Sequence, residues 1–519
     1  MYNTSNEFKE AIYSPTRTVK GRVTFDISDV TAVGDMLSIT STEESIISDV
    51  QQSSNLIRDF GYNLATFETN RFKLDGSFSF PDDVIVDNGE MGFVSNNLSN
   101  YNGEFILQPT LTFIFNTTHS SAGITLSFDT NNNEYATEFT INAYDGSNNL
   151  ILSNEVIGNT SNQIAVIGQF FLYEKVEVII KKWSKPFRRA RVVEVSFGIV
   201  KIYKDENLIS IKLQEDMDIT SFNIPTSELN FSIENSNREF NILNPDGFHK
   251  FLQERQMVTS EIGVLVGSKV EYVKLGNFYL VDWVSEEGSL ISSFTANNIL
   301  DLMSNYDYEN LSSKTGYNLY QMLEEIFLIC EVTDYQIDIA LQSITTKGLV
   351  KKNNCRNILQ MIAVVGMSNV YIDRNGKLII KQIILGTEVG IIDMDNMYRE
   401  PQIKLDKIVK NVEVKYYSDI STNLTTLVSN ADEGEVLKVD NTLINTITHA
   451  NDVANWVLNQ RNYRAMYSAS WRGDPSQELS DIMIIEDNYN VNNKSIVTNI
   501  DINYEGYLKG NIKSRGLVE

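Results

Sequence analysis

The sequence predicts a mainly β protein with smaller α+β pieces, and three observations carry that prediction. Apolar and polar residues alternate over many short stretches. Tyr and Phe, at 24 and 25, far outnumber the 4 Trp, while Pro is held to 8. Polar runs rich in Asn and Ser separate the stretches. Half-buried strands joined by polar turns have this character. With 519 residues, 42% of them hydrophobic, the chain can bury several cores, and domains of roughly one to two hundred residues predict three or four of them.

The first segment, 1–95, reads as short strands. Val23 and Phe25 alternate with polar neighbours between Gly21 and Ile27, and Phe72, Leu74, Phe78 and Phe80 flank a tight-turn pair, Asp75-Gly76. Ser45–Gly61 is polar and fits either a loop or an edge strand. From 96 to 203 the strands become nearly regular: Leu111, Phe113, Phe115; Phe139, Ile141, Ala143; Val176, Val178, Ile180; Val193, Val195, Phe197, Ile199. This predicts an antiparallel β-sandwich entered through a polar linker, Ser95–Gly103. Strand patterns like those of 1–95 resume over 204–300, at Leu229, Phe231, Ile233 and at Phe278–Trp283, so the sandwich reads as an insertion.

The segment 301–390 is the α/β middle region. Leu319, Met322, Leu323, Ile326, Phe327 and Cys330 form one helical stripe, and Cys355, Ile358, Leu359, Ile362 and Ala363 form a second. The second has Asn353 or Asn354 as its N-cap and Gly366 as its stop. A hairpin follows, Val370–Ile372 with Leu378–Ile380, turned at Asn375-Gly376. The last segment, 391–519, is β again: Val412, Val414 and Tyr416 alternate, and Ile496 to Tyr504 share one face. It is interrupted by one helix over 451–467, with Val453, Trp456 and Val457 on its apolar side, expected to lie across a barrel mouth. No short-period repeat points to a solenoid or propeller.

Charge and composition narrow the function. A net charge of -25, from 68 acidic and 43 basic residues, opposes general or sequence-specific nucleic-acid binding. It would suit a wall past which DNA slides, and equally a soluble surface. No apolar run reaches the roughly 20 residues needed to cross a bilayer, so no membrane insertion is expected. The first residues lack a signal-peptide pattern, and only Cys330 and Cys355 are present. Folding in a reducing cytoplasm follows as the expectation.

The chemistry-bearing residues are sparse. His119, His249 and His449 stand in three segments without ligand-spaced neighbours and read as surface or turn histidines; no metal or cofactor is expected. Both cysteines fall on apolar stripes and read as buried thiols. Gly263–Lys269 is the nearest approach to a phosphate loop, but its glycines are too close and its Ser precedes the Lys. No catalytic motif is present, which favours a non-enzymatic protein; a peptidase or glycosidase site assembled from distant segments is the remaining enzymatic reading. One basic cluster, with Lys181, Lys182, Trp183, Arg188, Arg189 and Arg191, is the candidate contact for a ligand or partner, weighed against a solvated loop. Arg472-Gly473-Asp474 spells an adhesion tripeptide but reads as turn chemistry before Pro475.

Several segments together resemble tail proteins of phages of Gram-positive bacteria: Asn6–Arg17, Ala65–Glu68 with Phe72–Phe78, and Phe240-Asn241 with Asn244–Gly247. So do Cys355-Arg356 leading to Asp373–Leu378, Asp481–Ile484, and Tyr504–Gly510. The resemblance is to baseplate hubs of phage tails and tail-like particles. It implies two related hub β-barrels (1–95 with 204–300, and 391–519), and a homotrimer whose six barrels ring the passage and continue a hexameric tail tube. It supplies no catalytic residues. The 96–203 insertion resembles a carbohydrate-binding-module sandwich. Implied partners are a second and third copy of the chain, the tail tube or distal tail protein, and a spike, fibre or tail lysin. The implied location is the virion's tail tip, assembled in the host cytoplasm. The alternative function is attachment to cell-surface glycan through the sandwich, with Trp183 or Tyr144 as the stacking aromatic.

Overall fold

The computed structural model describes every residue except 62, 80–89, 242, 245–246, 253–254, 268, 287, 315, 419–421, 430, 489–493 and 519, and, for side chains only, Val30 and 422–429. The molecule is mainly β and divides into two compact units, Thr24–Ile202 and Met1–Val23 with Tyr203–Glu519. The chain opens with helix α1 (Asn6–Tyr13), capped by Ser5, whose hydroxyl accepts the Phe8 N–H at 2.9 Å. Strand β1 (Val19–Ser28) then passes from one unit into the other.

The 24–202 unit contains helix α2 (Val30–Gly34) and strands β2 (Met36–Ser41), β3 (Phe93–Leu98), β4 (Thr110–Ser127) and β5 (Ala136–Tyr144). These are followed by β6 (Leu150–Ile157), β7 (Gln163–Trp183), β8 (Arg189–Val192) and β9 (Glu194–Ser196). The main sheet runs β2-β4-β7-β5-β6 with β9 also on β4, and β3 pairs with β8. Period-2 alternation turns Leu111, Phe113, Phe139, Ile141, Val176 and Val178 into one buried core. This corrects the boundary at 96: residues 24–95 pack with the sandwich, because β2 pairs along β4 and Phe93 is in the same core. Ser45–Gly61 holds a 3-10 turn, Val50–Ser54, and no strand. Phe72–Ser79 likewise forms no strand, although Phe72 and Phe78 meet edge to face; Phe80 lies outside the described residues.

Strand β10 (Gly198–Lys204) leads back, and β11 (Leu208–Asp216), β12 (Glu228–Glu234), β13 (Met257–Val266), β14 (Lys269–Val284) and β15 (Ile291–Asn297) follow. The Gly263–Lys269 segment is thus the end of a β-hairpin turned at Gly267, with Ser268 outside the described residues, as are Pro245 and Asp246. The middle region comprises α3 (Ile299–Leu302), β16 (Asp307–Asn310), α4 (Leu319–Ile329), β17 (Tyr335–Ile337), β18 (Val350–Asn354) and α5 (Cys355–Val365). It closes with the hairpin β19 (Asn369–Ile372) and β20 (Leu378–Lys381). Both helices bury the stripes read from the sequence, and Asn354 caps α5 as expected. Asn318 and Gln321 form a capping box on α4.

The remaining strands are β21 (Gly390–Ile392), β22 (Gln402–Leu405), β23 (Val409–Tyr417), β24 (Thr422–Ser429), β25 (Glu435–Asp440), β26 (Ala465–Trp471), β27 (Ile482–Ile485), β28 (Lys494–Tyr504) and β29 (Leu508–Gly516). Helix α6 (Ile447–Arg461) starts earlier than predicted, because Thr446 caps it. It does not cross a barrel mouth. Ala450, Val453, Ala454 and Val457 join the core of α4 and α5, together with Val412 and Val414 of the small sheet β24-β23-β25. Residues 409–458 therefore belong with the middle region, which corrects the boundary at 391.

The two β-rich ends share one 13-stranded sheet, ordered β10-β1-β13-β14-β15-β12-β11-β28-β29-β26-β22, with β21 on β27 and β27 on β28. Numbering the strands of each end one to five in chain order, β11 to β15 lie in the order 3-4-5-2-1. Strands β22, β26, β27, β28 and β29 lie in the same order. The kinship expected of the two ends takes this form: one strand order used twice, with β23–β25 and α6 inserted between the first and second strands of the later copy.

Candidate functional site

The basic cluster singled out in the sequence is turned inward. Trp183 is only 2% exposed, edge-on to Phe128 at 5.7 Å, and its Nε1–H donates to Glu134 Oε2 at 3.2 Å. Glu134 also accepts from Arg188 Nε at 3.0 Å and pairs with Arg71, which in turn bonds Asp129 at 2.8 Å. Arg191 donates to Glu68 at 2.9 Å, and Arg189 to the Ser95 carbonyl at 2.8 Å. Lys181 reaches Glu155 and Lys182 reaches Glu138. Burial alone would raise the Glu68 carboxyl, yet the Arg191 guanidinium holds it down to about 2. Trp183, Arg188 and Arg191 are thus buried in an ion-paired interior of the 24–202 unit, whereas Lys181, Lys182 and Arg189 remain partly exposed. Tyr144 is equally engaged: its hydroxyl donates to Glu177 at 2.6 Å and Lys175 Nζ sits 3.9 Å over its ring.

The histidines carry no catalytic geometry. His119 is buried rather than at the surface, with Nδ1 2.8 Å from Asp29 and Nε2 2.9 Å from Asp35, so both ring nitrogens are occupied. His249 sits in a 3-10 turn, Phe248–Phe251. His449 lines a cleft of about 440 Å³ with Asp338, Ser343 and Asp452, but its Nε2 is tied to the Val365 carbonyl at 2.9 Å. Ser343 is spent on the Ala340 carbonyl and Asp338 caps the turn at Ala340. Both thiols are buried, and burial pushes their pKa values up, away from nucleophilic use. Among the described residues no group of three His, Cys, Asp or Glu could hold a metal. The adhesion-like tripeptide is also internal: Arg472 donates to the Tyr13 carbonyl and Asp474 is buried against Ser476 and Tyr13.

What the sequence reading missed is the direct pairing of the two related ends in one sheet. The first strand of the early copy, β11, lies antiparallel on the fourth strand of the later copy, β28, from Ile211↔Tyr504 to Asp216↔Asn499. Behind that junction Arg374, 1% exposed, meets Glu215 of β11 at 2.7 Å. It also donates to the carbonyls of Leu275 on β14 and of Pro475 and Gln477 in the β26–β27 loop, so one side chain ties strands of the early copy and a loop of the later one to the β19–β20 hairpin.

No protein-family model matches the chain, and no curated protein matches it. Solved structures similar to it include tail proteins. A tail protein from Neisseria meningitidis MC58 is 10% identical at a TM-score of 0.42, covering 61% of this chain and 93% of that one. The prophage tail protein gp18 from Listeria monocytogenes EGD-e is 11% identical at 0.39, covering 61% and 91%. The chitosan-binding module 1 of a chitosanase/glucanase from Paenibacillus sp. IK-5 is 10% identical at 0.20, covering 32% of this chain and 93% of that one.

Proposed function

We propose that the chain is a non-enzymatic subunit of a phage-type tail: a baseplate hub that forms a trimeric ring, joins the tail tube to a spike or fibre, and leaves a passage for DNA or tape-measure protein. The observation that carries the reading is the strand order 3-4-5-2-1 used twice in one sheet. A threefold ring can continue a sixfold tube only if each subunit presents two equivalent platforms, and the repeat provides two. The end-to-end sequence resemblance to tail hubs supports the same reading. The excess of 25 negative charges suits a wall that does not retain passing DNA. The largest basic cluster is neutralised by Glu68, Glu134, Glu138 and Glu155. The glycan-attachment alternative loses its two aromatic candidates, Trp183 and Tyr144, to internal contacts.

Negative-stain imaging of tail particles with gold-labelled antibody against this chain tests the proposal. Label confined to the tail tip is expected. Label spread along the tube, or particles without the chain, would overturn it.

A further inference from the structure

The repeated strand order contains one filled seat and, among the described residues, one empty seat. In the filled one, β28 gives its end nearest the β29 turn, Asn499–Tyr504, to β11, while Lys494–Ile496 pair with β27 on the same edge. The matching strand of the early copy is β14. Its pairing with β13 stops at Tyr279, and Leu280 N–H then donates to the Gln256 carbonyl. Beyond that point Val281 is a bulge, and Asp282–Val284 pair, among the described residues, only with β15. The matching strand for β11 is β22, which pairs only with β26 among the described strands and ends the sheet. All four of its residues are exposed.

We infer that β22 of one copy adds antiparallel to the Val281–Val284 edge of β14 in a second copy, repeating between chains the β11–β28 junction found within each. The occupant is a second copy of this chain, because the chain carries, among its described residues, one vacant seat and the unseated strand that fits its pattern. Side chains agree. Val281 and Val284 are 46% and 52% exposed around Asp282, and Ile403 and Leu405 are 50% and 55% exposed around Lys404. Bare edge N–H and C=O groups are a template for pairing with another strand, and strand addition satisfies them. The Asp406 N–H donates to Arg464, so alternation along β22 turns the N–H groups of Ile403 and Leu405 toward the open edge. The contact is heterologous: each chain gives one edge and receives the other, and the set closes when the rotation completes a circle.

The inference rests on the hub reading and locates its ring contact. The test uses the full chain carrying Val284→Cys with Ile403→Cys, treated with a short bismaleimide. A covalent ladder that ends at the trimer is expected, with none from either single variant. Ile403→Pro, which removes an outward N–H, is expected to weaken assembly about tenfold in light scattering. Cross-linking by a single variant, or a trimer by scattering whose double variant gives no ladder, would overturn the pairing and leave the hub reading standing. A chain that stays monomeric yet labels the tail tip would do the same. A chain that is monomeric and absent from the tail tip would end both.

Discussion

The two compact units place their polar groups differently. In the 24–202 unit, charge is drawn inside: Arg71, Arg188 and Arg191 are nearly inaccessible and are met by Asp129, Glu134 and Glu68. In the other unit the middle region is closed by an apolar core of Leu, Ile, Val and Met side chains. There the unsatisfied polarity sits at the sheet's rim, along β22 and the end of β14. A buried ion network adds little net stability but is costly to break, so it makes the sandwich a self-contained body. An exposed sheet edge does the reverse, leaving backbone groups of the larger unit open to pairing.

Removing the sandwich altogether is the largest perturbation. With Val23 joined to Tyr203 through a short Gly-Ser linker, the remaining unit is expected to fold with its near-UV signal intact, because Lys20 and Asp205 already pair at 2.8 Å across the cut. An insoluble product would break the comparison.

Next come the two buried arginine networks. Glu134→Ala would strand Arg71, Arg188 and the Trp183 N–H, and Arg374→Ala would strand Glu215. Breaking a buried pair from one side costs about 3–5 kcal/mol. The effects should stay in their own units. Trp183 is the only tryptophan of 24–202, the other three being Trp283, Trp456 and Trp471. Its blue-shifted emission should therefore fall at lower urea in Glu134→Ala and be unmoved in Arg374→Ala. A common midpoint shift in both variants would show that the units unfold as one.

The pH dependence separates the units further. Burial pushes Glu194 up to about 8 against the N–H groups of Asn55 and Leu56 that favour its charge. The folded sandwich therefore keeps a proton that the unfolded chain gives up, and stability falls as pH rises from 4.5 toward 8. At about 1.4 kcal/mol per unit this amounts to roughly 5 kcal/mol. His119 acts in the same direction: burial lowers its pKa, but hydrogen bonds from Asp35 and Asp29 outweigh that and raise it. Its contribution is complete below 6.5 and lost as pH rises through the folded value. Glu68, held at about 2, contributes above 4.5 and fails only as the solution turns acid. Trp183-detected unfolding should thus show a more stable sandwich near pH 5.5 than near pH 8.5, with Glu194→Gln flattening most of the difference. A flat wild-type profile would refute the assignment.

Local features of this fold were legible where the physics is local. The stripes of α4 and α5 and the alternation of β4, β5 and β7 needed only periodicity. Long-range pairing was not legible. Residues 24–95 alternate much as 204–300 do, and only long-range contacts, the β2–β4 ladder and the burial of Phe93, assign them to the sandwich. The basic cluster looked free to bind because its counter-charges are far off in sequence: Glu134 is 54 residues from Arg188 and Glu68 is 123 from Arg191. The same distance hid the partners of His119, which lie 90 and 84 residues upstream. One local signal does mark the true start of α6: Thr446, a good N-cap. The doubled strand order left no visible sequence repeat, since sheet order is a property of pairing and tolerates any residues with the right alternation.

The smallest expected effects are at two glycine turns that looked alike in the sequence, one in each unit. Gly76 follows Asp75, whose carboxylate accepts the Ser77 N–H at 3.0 Å, and Gly376 follows Asn375 in the β19–β20 loop. Both are left-handed, at φ 81° and 89°, so alanine at either pays the left-handed penalty of about 1 kcal/mol. Their surroundings differ. A Cβ at Gly76 would meet nothing within 4 Å, whereas one at Gly376 would lie 2.7 Å from Nδ2 of Asn277 on β14. That side chain can swing aside, at a cost below a full steric clash. Gly376→Ala should therefore destabilise its unit by about 1–2 kcal/mol, and Gly76→Ala the sandwich by about 1. Adding Asn277→Ala should bring the Gly376 variant down to the Gly76 value, because the contact is then gone and only backbone strain remains. If Gly376→Ala costs the same with and without Asn277, the close approach between the hairpin loop and β14 is not what distinguishes the two turns.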